Sequence, residues 1–257
     1  MKINNKKGII LAGGSGTRLH PITKVISKQL LPIYDEPMVY YPLSTLINSG
    51  VKDVLIITKP EDKTLFKNLL DSYDGLDVNI DFETQEEPEG IAQAFIIAKK
   101  WLGESESILI LGDNLFFGTD LNLVVNDACE NNKGATIFAY KVDDPNRFGV
   151  IEFDNEKNVI SIEEKPEKPK SNWVATGMYI YDQSVVSKVL ELKKSDRGEL
   201  EITDLNNIYL EEKNLKVVLL DDNFKWLDTG THETLLEASN TVKDIKDKFG
   251  SNIIGLK

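Results

Sequence analysis

The first half of the chain alternates continuous apolar runs with segments of helical periodicity. The apolar runs lie at residues 8–12 (GIILA), 54–58 (VLIIT) and 108–111 (ILIL). Because these runs do not alternate with polar residues, they indicate strands buried on both faces, as in a parallel sheet covered by helices. The helical segments lie near residues 38–49, 61–71 and 90–102. This alternation predicts βαβ units and a doubly wound α/β sheet.

The second half of the chain has a different pattern. Residues 147–165 predict a β-hairpin with its turn at 154–157, and residues 173–181 predict another apolar and aromatic strand. A helix near 201–212 and a strand near 215–220 follow.

A final helix is predicted from Thr231, a residue type that often caps helix N-termini, to Gly250, which can end the helix. The apolar residues between them recur at helical spacing, which indicates core packing.

Composition places the chain among globular proteins. It has 257 residues, of which 41% are hydrophobic and 28% charged, a size that suits one large domain or two small ones. Acidic residues outnumber basic residues by 42 to 30, which gives a formal net charge of −12. Nucleic acids and anionic membrane surfaces would repel such a chain, so neither is expected as a partner. We therefore expect any positive charge that binds phosphate to be gathered locally.

Few residues are available for thiol, imidazole or membrane chemistry. Cys129 is the only cysteine and cannot form an intrachain disulfide, and zinc sites usually use several. His20 and His232 are the only histidines and lie far apart in sequence, which argues against a Ser-His-Asp triad or a His-rich metal site. No apolar stretch approaches the roughly 20 residues of a membrane helix, and the N-terminal run is too short for a signal peptide. We therefore expect a cytoplasmic protein.

The run at 8–12 leads into a glycine-rich loop, Gly13-Gly14-Ser15-Gly16-Thr17-Arg18. Clustered glycines let backbone N–H groups approach an anion closely. The loop is not a dinucleotide fingerprint, because Leu19 stands where the third glycine is needed, and it lacks the Gly-Lys-Ser/Thr end of a P-loop. Taken alone, it fits either a phosphate site or a tight turn.

A set of motifs in chain order makes the assignment specific. They are LAGGSGTRL (11–19), SKQLLP (27–32), Gln85 with GIAQA (90–94), LGDN (111–114), RFGV (147–150), EEKP (163–166), TGMY (176–179), RGELEITD (197–204) and WLDTGT (226–231). Over nearly the whole chain this set resembles the sugar-nucleotide pyrophosphorylases, a family of nucleotidyltransferases. Within the family it is most similar to the thymidylyltransferases.

The resemblance implies an α/β fold: a Rossmann-like three-layer sandwich with a mixed, mainly parallel central sheet and a small β-hairpin subregion that binds the sugar. It implies a single nucleotidyltransferase domain over 1–257. Residues 1–115 would serve mainly the nucleotide, residues 116–230 mainly the sugar phosphate, and residues 231–250 would form the C-terminal helix. It also implies a homo-oligomer, a tetramer or a dimer.

The resemblance implies Mg²⁺-dependent transfer of a deoxythymidylyl group from dTTP to α-D-glucose 1-phosphate, which yields dTDP-glucose and pyrophosphate. A sugar phosphate oxygen would attack the α-phosphorus in line, a step that needs positioned charges and no covalent catalyst. This chemistry suits a chain nearly devoid of His and Cys. How strictly dTTP is preferred over UTP, and which other sugar 1-phosphates are accepted, stays open.

Two aspartates are candidate metal ligands. Asp113 follows the run at 108–111, so it lies at the carboxyl end of a strand, where open α/β sheets bind ligands. Asp228 precedes a Thr-Gly-Thr turn. From spacing alone, either can simply cap a loop or turn, and for Asp228 that interpretation is preferred. The resemblance instead implies that both hold Mg²⁺, with substrate phosphates and waters completing the octahedron.

Four cations are singled out by the resemblance. Arg18 and Lys28 would steady the triphosphate and the developing charge, whereas Lys165 and Arg197 would hold the sugar 1-phosphate. The catalytic set that it implies is Arg18, Lys28, Asp113, Lys165 and Asp228.

The remaining contacts are also taken from the resemblance. The implied nucleotide-binding set is Leu11, Gly13, Gly14, Gly16, Thr17, Arg18, Gln29, Gln85, Gly90 and Asp113. The Gln85 amide suits the imide edge of thymine or uracil. The implied sugar-phosphate-binding set is Gly149, Glu164, Lys165, Ala175, Tyr179 and Arg197. Strand neighbours face opposite sides, so Glu164 and Lys165 can face one ligand only if the strand ends near Pro166 and redirects the lysine.

The chain departs from the family pattern in several places. Glu36, Phe148, Trp173 and Ala175 stand where thymidylyltransferases usually carry Lys, Tyr, Tyr and Val, which leaves the fine sugar specificity open. Family members of the long type continue beyond the position of Lys257, and that extension helps to form a secondary nucleotide site for feedback inhibition. We therefore expect a short form in which feedback by the deoxythymidine-sugar product is weak or absent.

Other functions remain as alternatives. A uridylyl- or cytidylyltransferase that acts on another sugar 1-phosphate would use the same loop and metal pair and would differ in the base-reading segment 83–94. A non-catalytic nucleotide-sugar sensor should have lost a metal aspartate or Arg18, and all of them are present. The missing third glycine argues against an NAD-type dehydrogenase.

Overall fold

The computed structural model of the protein describes residues 6–72 and 77–250. The strands in this part of the chain are β1 (Lys6–Ala12), β2 (Pro32–Ile33), β3 (Glu36–Pro37), β4 (Asp53–Thr58), β5 (Asn79–Thr84), β6 (Glu106–Leu111), β7 (Asn114–Phe117), β8 (Ala135–Lys141), β9 (Gly149–Phe153), β10 (Val159–Glu164), β11 (Trp173–Tyr181), β12 (Leu215–Leu219) and β13 (Lys225–Asp228). The helices are α1 (Tyr40–Asn48), α2 (Lys63–Asp71), α3 (Gln93–Leu102), α4 (Leu121–Glu130), α5 (Val185–Glu191), α6 (Ile202–Glu211) and α7 (His232–Phe249).

Nine of the described strands form one mixed sheet in the order β10-β9-β11-β6-β1-β4-β5, with β8 joined to β11 and β12 joined to β8. The pairs β1–β4, β1–β6, β4–β5 and β8–β12 are parallel. Strand β11 runs antiparallel to β6, β8 and β9, and β9 and β10 form an antiparallel hairpin. The predicted α/β fold with a mixed central sheet is confirmed.

The continuous apolar runs account for the layers. Ile9 and Ile10 are neighbours on β1 and are both fully buried, yet they belong to separate core clusters on opposite faces of the sheet. Helix α1 packs on one face and α3 on the other, as Leu43 and Phe95 in the two clusters show. A strand with helices on both faces needs apolar side chains on both faces, which is why these runs do not alternate.

The predicted helices and the predicted hairpin are present. Helix α1 ends just before Gly50, whose φ of 80° lies in the left-handed region that glycine adopts at little cost. Helix α7 begins after Thr231, whose side chain accepts a hydrogen bond from the backbone N–H of Thr234 in a capping box. Among the described helices, none has the length and apolar character needed to cross a membrane.

Two short strands outside the large sheet matter for the site. Strands β7 and β13 pair with each other antiparallel, and the pairing sets Asp228 opposite Asn114. The patterns in the sequence did not predict either strand. Their pairing brings residues that are far apart in the chain to the carboxyl end of β6.

Candidate active site

The predicted site residues gather at the carboxyl ends of β1 and β6, where β11 changes partners. Val174 of β11 pairs with β9, whereas Met178 pairs with β6, and the register against β8 shifts between Ala175 and Tyr179. Strand ends and changes of strand order are the places where open α/β sheets form ligand clefts. The glycine loop follows β1 on one side of this place, and the hairpin β9–β10 lies on the other.

The glycine loop is shaped for close approach by a ligand. Gly16 has a φ of 63°, and its carbonyl accepts hydrogen bonds from Leu19 N at 2.9 Å and from Thr23 Oγ1 at 2.7 Å. Thr17 begins a single 3₁₀ turn that follows it. Apart from Gly14 and its two chain neighbours, no described residue has an atom within 4 Å of the position that a Cβ on Gly14 would take, so the backbone there is open. An exposed run of backbone in this form can present N–H groups to a phosphate.

The structure places Gln85 directly on the glycine loop. A Cβ on Gly13 would overlap Gln85 Oε1, so only glycine permits this approach. Gln85 is buried, and its Nε2 donates to Gln93 Oε1 at 2.5 Å. The Gln93 side chain also accepts from the backbone N–H of Glu89 at 3.0 Å. The amide of Gln85 is therefore held in place from within the segment 83–94.

Gly90 links this segment to the second half of the chain. Its φ is 104°, and a Cβ there would overlap the backbone of Leu200. Leu200 N donates to Glu89 O at 2.7 Å, and Leu200 O accepts from Ala92 N at 3.2 Å. The segment 83–94 and the segment that carries Arg197 are thus joined by backbone hydrogen bonds.

Lys28 and Asp113 form a buried ion pair, with each side chain 11% exposed. Burial alone would raise the pKa of the Asp113 carboxyl group, but the Lys28 charge and hydrogen bonds from Lys28 and Asn114 outweigh burial and lower the pKa. Gln29 packs close by, because a Cβ on Gly112 would lie 2.9 Å from its Cγ. Gly112 N in turn donates to Leu11 O at 2.9 Å. Asp113 is therefore ionised and faces the loop that follows β1.

Asp228 lies next to Asp113. Thr229 donates to the Asp113 carbonyl from its backbone N–H at 3.1 Å and from its hydroxyl at 2.8 Å. Burial, and then repulsion by the Asp113 carboxylate, raise the pKa of Asp228 to about 6, against the weaker opposing effects of nearby cations. Two carboxylates that repel each other in a buried place would both be stabilised in their ionised form by a divalent cation.

Two arginines face this pair of carboxylates. The guanidinium of Arg18 lies over Gly230, where a Cβ would come within 2.7 Å of Arg18 Nη2. Arg147 Nη2 lies 3.9 Å from Asp228 Oδ2. Together with Lys28, these arginines lower the pKa of Asp228, although burial and Asp113 prevail. Positive charge is therefore concentrated at this point of a chain with a net charge of −12.

Polar and small groups pack closely around Gly149. A Cβ on Gly149 would lie 3.0 Å from Thr203 Oγ1, 3.6 Å from Glu164 Oε2 and 3.8 Å from the Cβ of Ala175. The absence of a side chain at Gly149 therefore lets a hydroxyl, a carboxylate and a methyl group approach the backbone of β9. Thr203 Oγ1 donates to Glu164 Oε2 at 2.6 Å, which fixes the carboxylate. Tyr179 is buried, and its phenol is close enough to Glu164 to be affected by the charge of that carboxylate. Burial and, second, this charge raise the pKa of the phenol.

Lys165 and Arg197 meet at the other oxygen of Glu164. Strand β10 ends at Glu164, and Lys165 has a φ of 45°, which turns its side chain to the same side as its neighbour. Lys165 Nζ and Arg197 Nη2 each lie 3.3 Å from Glu164 Oε1. The predicted redirection of the lysine at the strand end is confirmed.

Arg197 is held by several carboxylates. Its Nε donates to Glu201 Oε1 at 3.2 Å and its Nη2 to Glu201 Oε2 at 2.7 Å. Glu199 lies 3.4 Å from Arg197 Nη2. Ser195 Oγ donates to Glu201 Oε1 at 2.6 Å and so steadies the buried carboxylate. The Arg197 side chain is 40% exposed, so a phosphate that enters the site can reach it.

Three residues that were not predicted lie among the predicted ones: Asn114, Arg147 and Thr203. Each falls inside a motif that the sequence analysis used, but only neighbouring residues of those motifs were assigned a role. Asp113, Gly149 and Arg197 were predicted to have a role, whereas Asn114, Arg147 and Thr203 of the same three motifs were not. The signal for each is a polar residue one, two or six positions from the predicted residue in the same short motif.

Two surface cavities, of about 900 and 920 Å³, lie elsewhere and contain none of the predicted site residues. The first is bounded by α1, the loop before α4 and the last turns of α7, and the second by β10, α6 and β12. The predicted residues instead line the cleft across the strand ends.

Candidate metal ligands form only a small set in the part of the chain that the structure describes. In this part of the chain, no group of three or more His, Cys, Asp or Glu side chains is arranged to hold a metal ion. The candidate metal ligands are two carboxylates that lie close together in space, those of Asp113 and Asp228. Mg²⁺ is commonly bound by one or two carboxylates together with substrate phosphates and waters, so this set fits it.

Comparison with known proteins gives a consistent picture. Residues 7–245 match the nucleotidyl transferase family. A glucose-1-phosphate thymidylyltransferase of Neisseria meningitidis is 52% identical over 241 residues, which are 94% of this chain and 84% of that protein. The enzyme of the same name from Mycolicibacterium smegmatis is 49% identical over 247 residues, which are 96% of this chain and 85% of that protein.

Solved structures agree in fold. A crystal structure assigned as a glucose-1-phosphate thymidylyltransferase of Bacillus anthracis, in complex with a sucrose, superposes with a TM-score of 0.86 at 42% identity and covers 93% of this chain and 96% of that one. A UDP-glucose pyrophosphorylase complexed with UDP-glucose superposes with a TM-score of 0.83 at 25% identity and covers 93% of this chain and 99% of that one.

Proposed function

The chain belongs to the nucleotidyl transferase family, and we propose that it joins dTTP to α-D-glucose 1-phosphate, giving dTDP-glucose and pyrophosphate. The observation that carries this proposal is the meeting of Asp113 and Asp228 beside Lys28, Arg18 and Arg147 at the strand ends. Paired carboxylates among cations provide what phosphoryl transfer needs: a place for a metal ion and charges that neutralise substrate phosphates.

Asp113 and Asp228 would hold Mg²⁺. When bound, the ion would neutralise charge on the triphosphate and reduce repulsion between the two anionic substrates. The aspartates would have to be ionised for this task, which Asp113 already is through Lys28. Arg18, at the end of the glycine loop, would bind the leaving pyrophosphate portion, and Lys28 would stabilise charge at the transferring group.

The nucleoside would lie between the glycine loop and the segment 83–94. Gln85 would read the imide edge of the base with its amide, and the backbone at Gly90 would contribute a further contact. Leu11 and Gln29 would contact the nucleoside beside the loop glycines Gly13, Gly14 and Gly16. Residues 1–115 would thus serve mainly the nucleotide.

The sugar 1-phosphate would occupy the other end of the cleft. Glu164 would accept hydrogen bonds from sugar hydroxyls, and Gly149, Ala175 and Tyr179 would lie beside the sugar. Lys165 would exchange its carboxylate partner for the phosphate, and Arg197 could contact it through two N–H groups. Residues 116–230 would thus serve mainly the sugar phosphate.

In this arrangement a phosphate oxygen of the sugar attacks the α-phosphorus of dTTP from the side opposite the leaving pyrophosphate. The P–O bond to the β-phosphate breaks as the new P–O bond forms. The attacking oxygen is anionic at neutral pH, so no protein base has to remove a proton. The protein contributes position and charge, which suffice for reactions of this type.

UTP is a second candidate donor. The Gln85 amide can pair with uracil as well as with thymine, because the two bases share the imide edge. The base methyl group is worth only about 1–3 kcal/mol of discrimination in an apolar pocket. Use of UTP at reduced efficiency is therefore consistent with this site.

Pyrophosphate release tests the proposal. Purified protein with Mg²⁺ and α-D-glucose 1-phosphate is offered dTTP, UTP, CTP or GTP in separate reactions, beside an Asp113→Asn control. Release that is fastest with dTTP and lost in the control is expected. No release with any triphosphate, or equal release by the control, would contradict the assignment.

A further inference from the structure

Asn114 occupies a position that the proposed roles do not explain. It is buried at the start of β7, directly after Asp113. Its side-chain oxygen accepts two hydrogen bonds, from the indole Nε1 of Trp226 at 2.6 Å and from the backbone N–H of Gly177 at 3.0 Å. These donors come from β13 and β11, so one side chain joins three strands.

The two donors fix the orientation of the amide. If the amide were turned over, its NH₂ group would face the N–H groups of Trp226 and Gly177, and none of these donors would find an acceptor. Leaving buried donors unpaired is unfavourable, because nothing then replaces the hydrogen bonds that they lose to water. The NH₂ group must therefore point the other way, and there it donates to Asp113 Oδ1 at 3.1 Å.

The backbone around the amide is built to the same geometry. A Cβ on Gly177 would overlap Asn114 Oδ1, so a glycine is needed at this position. The β7–β13 pairing places Trp226 opposite Phe116 and Asp228 opposite Asn114. The element that holds the amide thus also carries the second carboxylate.

The carboxylate of Asp113 is consequently held at both oxygens. Oδ2 faces Lys28 and Oδ1 faces Asn114, while Thr229 binds the backbone carbonyl of the same residue. Lys28 reaches Asp113 at the end of a long side chain, whereas the Asn114 amide is held by two strands. Asn114 is therefore the partner whose own position is fixed most firmly and that sets the plane of the carboxylate.

We propose that Asn114 is a positioning residue that aims the Asp113 carboxylate so that Asp113 and Asp228 bind one divalent cation together. The proposal rests on the proposed function and deepens it. Residues that hydrogen-bond to metal ligands in this way commonly change metal affinity by about 10–100-fold when they are replaced.

Metal binding without turnover tests the proposal. Mn²⁺ is titrated into the protein in the absence of substrates, and free Mn²⁺ is followed by electron paramagnetic resonance. In Asn114→Leu, which keeps the size of the side chain and removes its amide, the Mn²⁺ Kd is expected to rise by about 10–100-fold. In Trp226→Phe, which removes one of the two donors that fix the amide, the rise is expected to be smaller, roughly threefold.

Asn206→Leu is the matched control. Asn206 is another fully buried asparagine whose oxygen accepts a hydrogen bond, from Tyr181 at 2.5 Å, in a different part of the core. Its replacement should reduce the unfolding temperature as Asn114→Leu does and leave the Mn²⁺ Kd unchanged. A purely structural role for Asn114 would make the two variants alike in both measurements.

The outcomes separate this proposal from the proposed function. If the wild type binds Mn²⁺ and Asn114→Leu and Trp226→Phe both bind it within twofold of the wild type, the positioning role is wrong and the metal pair stands. If Asn114→Leu fails to fold, a raised Kd in Trp226→Phe supports the role and an unchanged Kd overturns it. If the wild type binds no Mn²⁺ alone and, once dTTP is added, none beyond what free dTTP holds, the metal pair itself is wrong, and the positioning role falls with it.

Discussion

The two ends of the cleft hold their cations differently. At the end proposed for the nucleotide, Lys28 and Asp113 are each 11% exposed and pair with each other in the interior. At the end proposed for the sugar, Lys165 is 45% exposed and Arg197 is 40% exposed, and both share the oxygen of Glu164. The same kind of ion pair therefore serves as a fixed part of the fold in one place and as a replaceable contact in the other.

Energetics explain why the difference matters. Removing one partner of a buried ion pair commonly costs about 3–5 kcal/mol, because a charge is left in the interior without compensation. An exposed pair is worth only about 0–1 kcal/mol. A phosphate can therefore displace the Glu164 carboxylate from exposed Lys165 at little cost, while Arg197 keeps its contacts with buried Glu201. The buried Lys28–Asp113 pair instead forms part of the fold before a substrate arrives.

The largest expected effect comes from breaking the buried pair. Lys28→Met should lower the free energy of unfolding by about 3–5 kcal/mol, measured by urea denaturation in metal-free buffer near neutral pH. Lys67→Met is the control, because Lys67 pairs with Asp71 on the surface of α2, with both side chains 60% exposed. That control should change stability by less than about 0.5 kcal/mol. Equal losses in the two variants would remove the distinction between the two ends.

The next substitution is expected to raise the free energy of unfolding. The pKa of Asp228 is about 6 in the folded protein and 3.8 ordinarily, so the fold disfavours its ionised form. Without metal, the wild type should therefore lose stability as pH rises from about 4 to about 6, and Asp228→Asn should escape that loss. Above pH 6 the variant should be more stable by up to about 3 kcal/mol, and near pH 4 the two should coincide.

Thermal unfolding in a chelator at several pH values measures this gain. Asp228→Asn should be inactive at the same time, since it lacks one of the proposed metal ligands. A variant that is less stable than the wild type above pH 6 would show that Asp228 is not under repulsion in the free protein.

A third substitution tests the replaceable contacts. Lys165→Gln should raise the KM for the sugar 1-phosphate by about 10–100-fold, because charge-assisted hydrogen bonds contribute about 1.5–3 kcal/mol. The KM for dTTP should stay within about twofold, and the free energy of unfolding should fall by less than about 1 kcal/mol. Steady-state kinetics with each substrate varied in turn separates these effects. A stability loss as large as that of Lys28→Met would contradict the comparison.

The smallest expected effect is at the glycine loop. In Gly13→Ala, the added methyl group would displace Gln85 Oε1, so the KM for dTTP should rise about tenfold, close to the value of one good hydrogen bond. Gln85→Ala is the second single variant of a double-mutant cycle with Gly13→Ala. If the methyl group acts through Gln85, the double variant should be little worse than Gln85→Ala alone, whereas additive effects would point to another cause.

Local pattern was sufficient for the framework of the fold. The runs at 8–12, 54–58 and 108–111 form the central residues of β1, β4 and β6. They could be predicted because a strand that helices cover on both faces carries apolar residues at consecutive positions. The N-cap at Thr231 and the hairpin of β9 and β10 were likewise readable from residue type and spacing.

The pattern of apolar and polar residues was not sufficient to predict that Asp113 and Asp228, the proposed metal ligands, lie together. Strands β7 and β13 are four residues long each, too short to show a period, and their pairing joins Asn114 to Asp228 across much of the chain. Spacing alone therefore favoured a turn cap for Asp228, and it was the resemblance to a family that named both aspartates. The third partner of the pair, Asn114, follows from neither source and becomes visible only through its hydrogen bonds.

Exchange of labelled pyrophosphate into dTTP tests most directly that two substrates react with each other in one cleft. With Mg²⁺, dTTP and labelled pyrophosphate but no sugar phosphate, no label should enter dTTP, because no nucleotide is transferred to the protein. Addition of α-D-glucose 1-phosphate should start the exchange. Label in dTTP without the sugar phosphate would reveal a covalent nucleotidyl-protein intermediate and would contradict direct transfer.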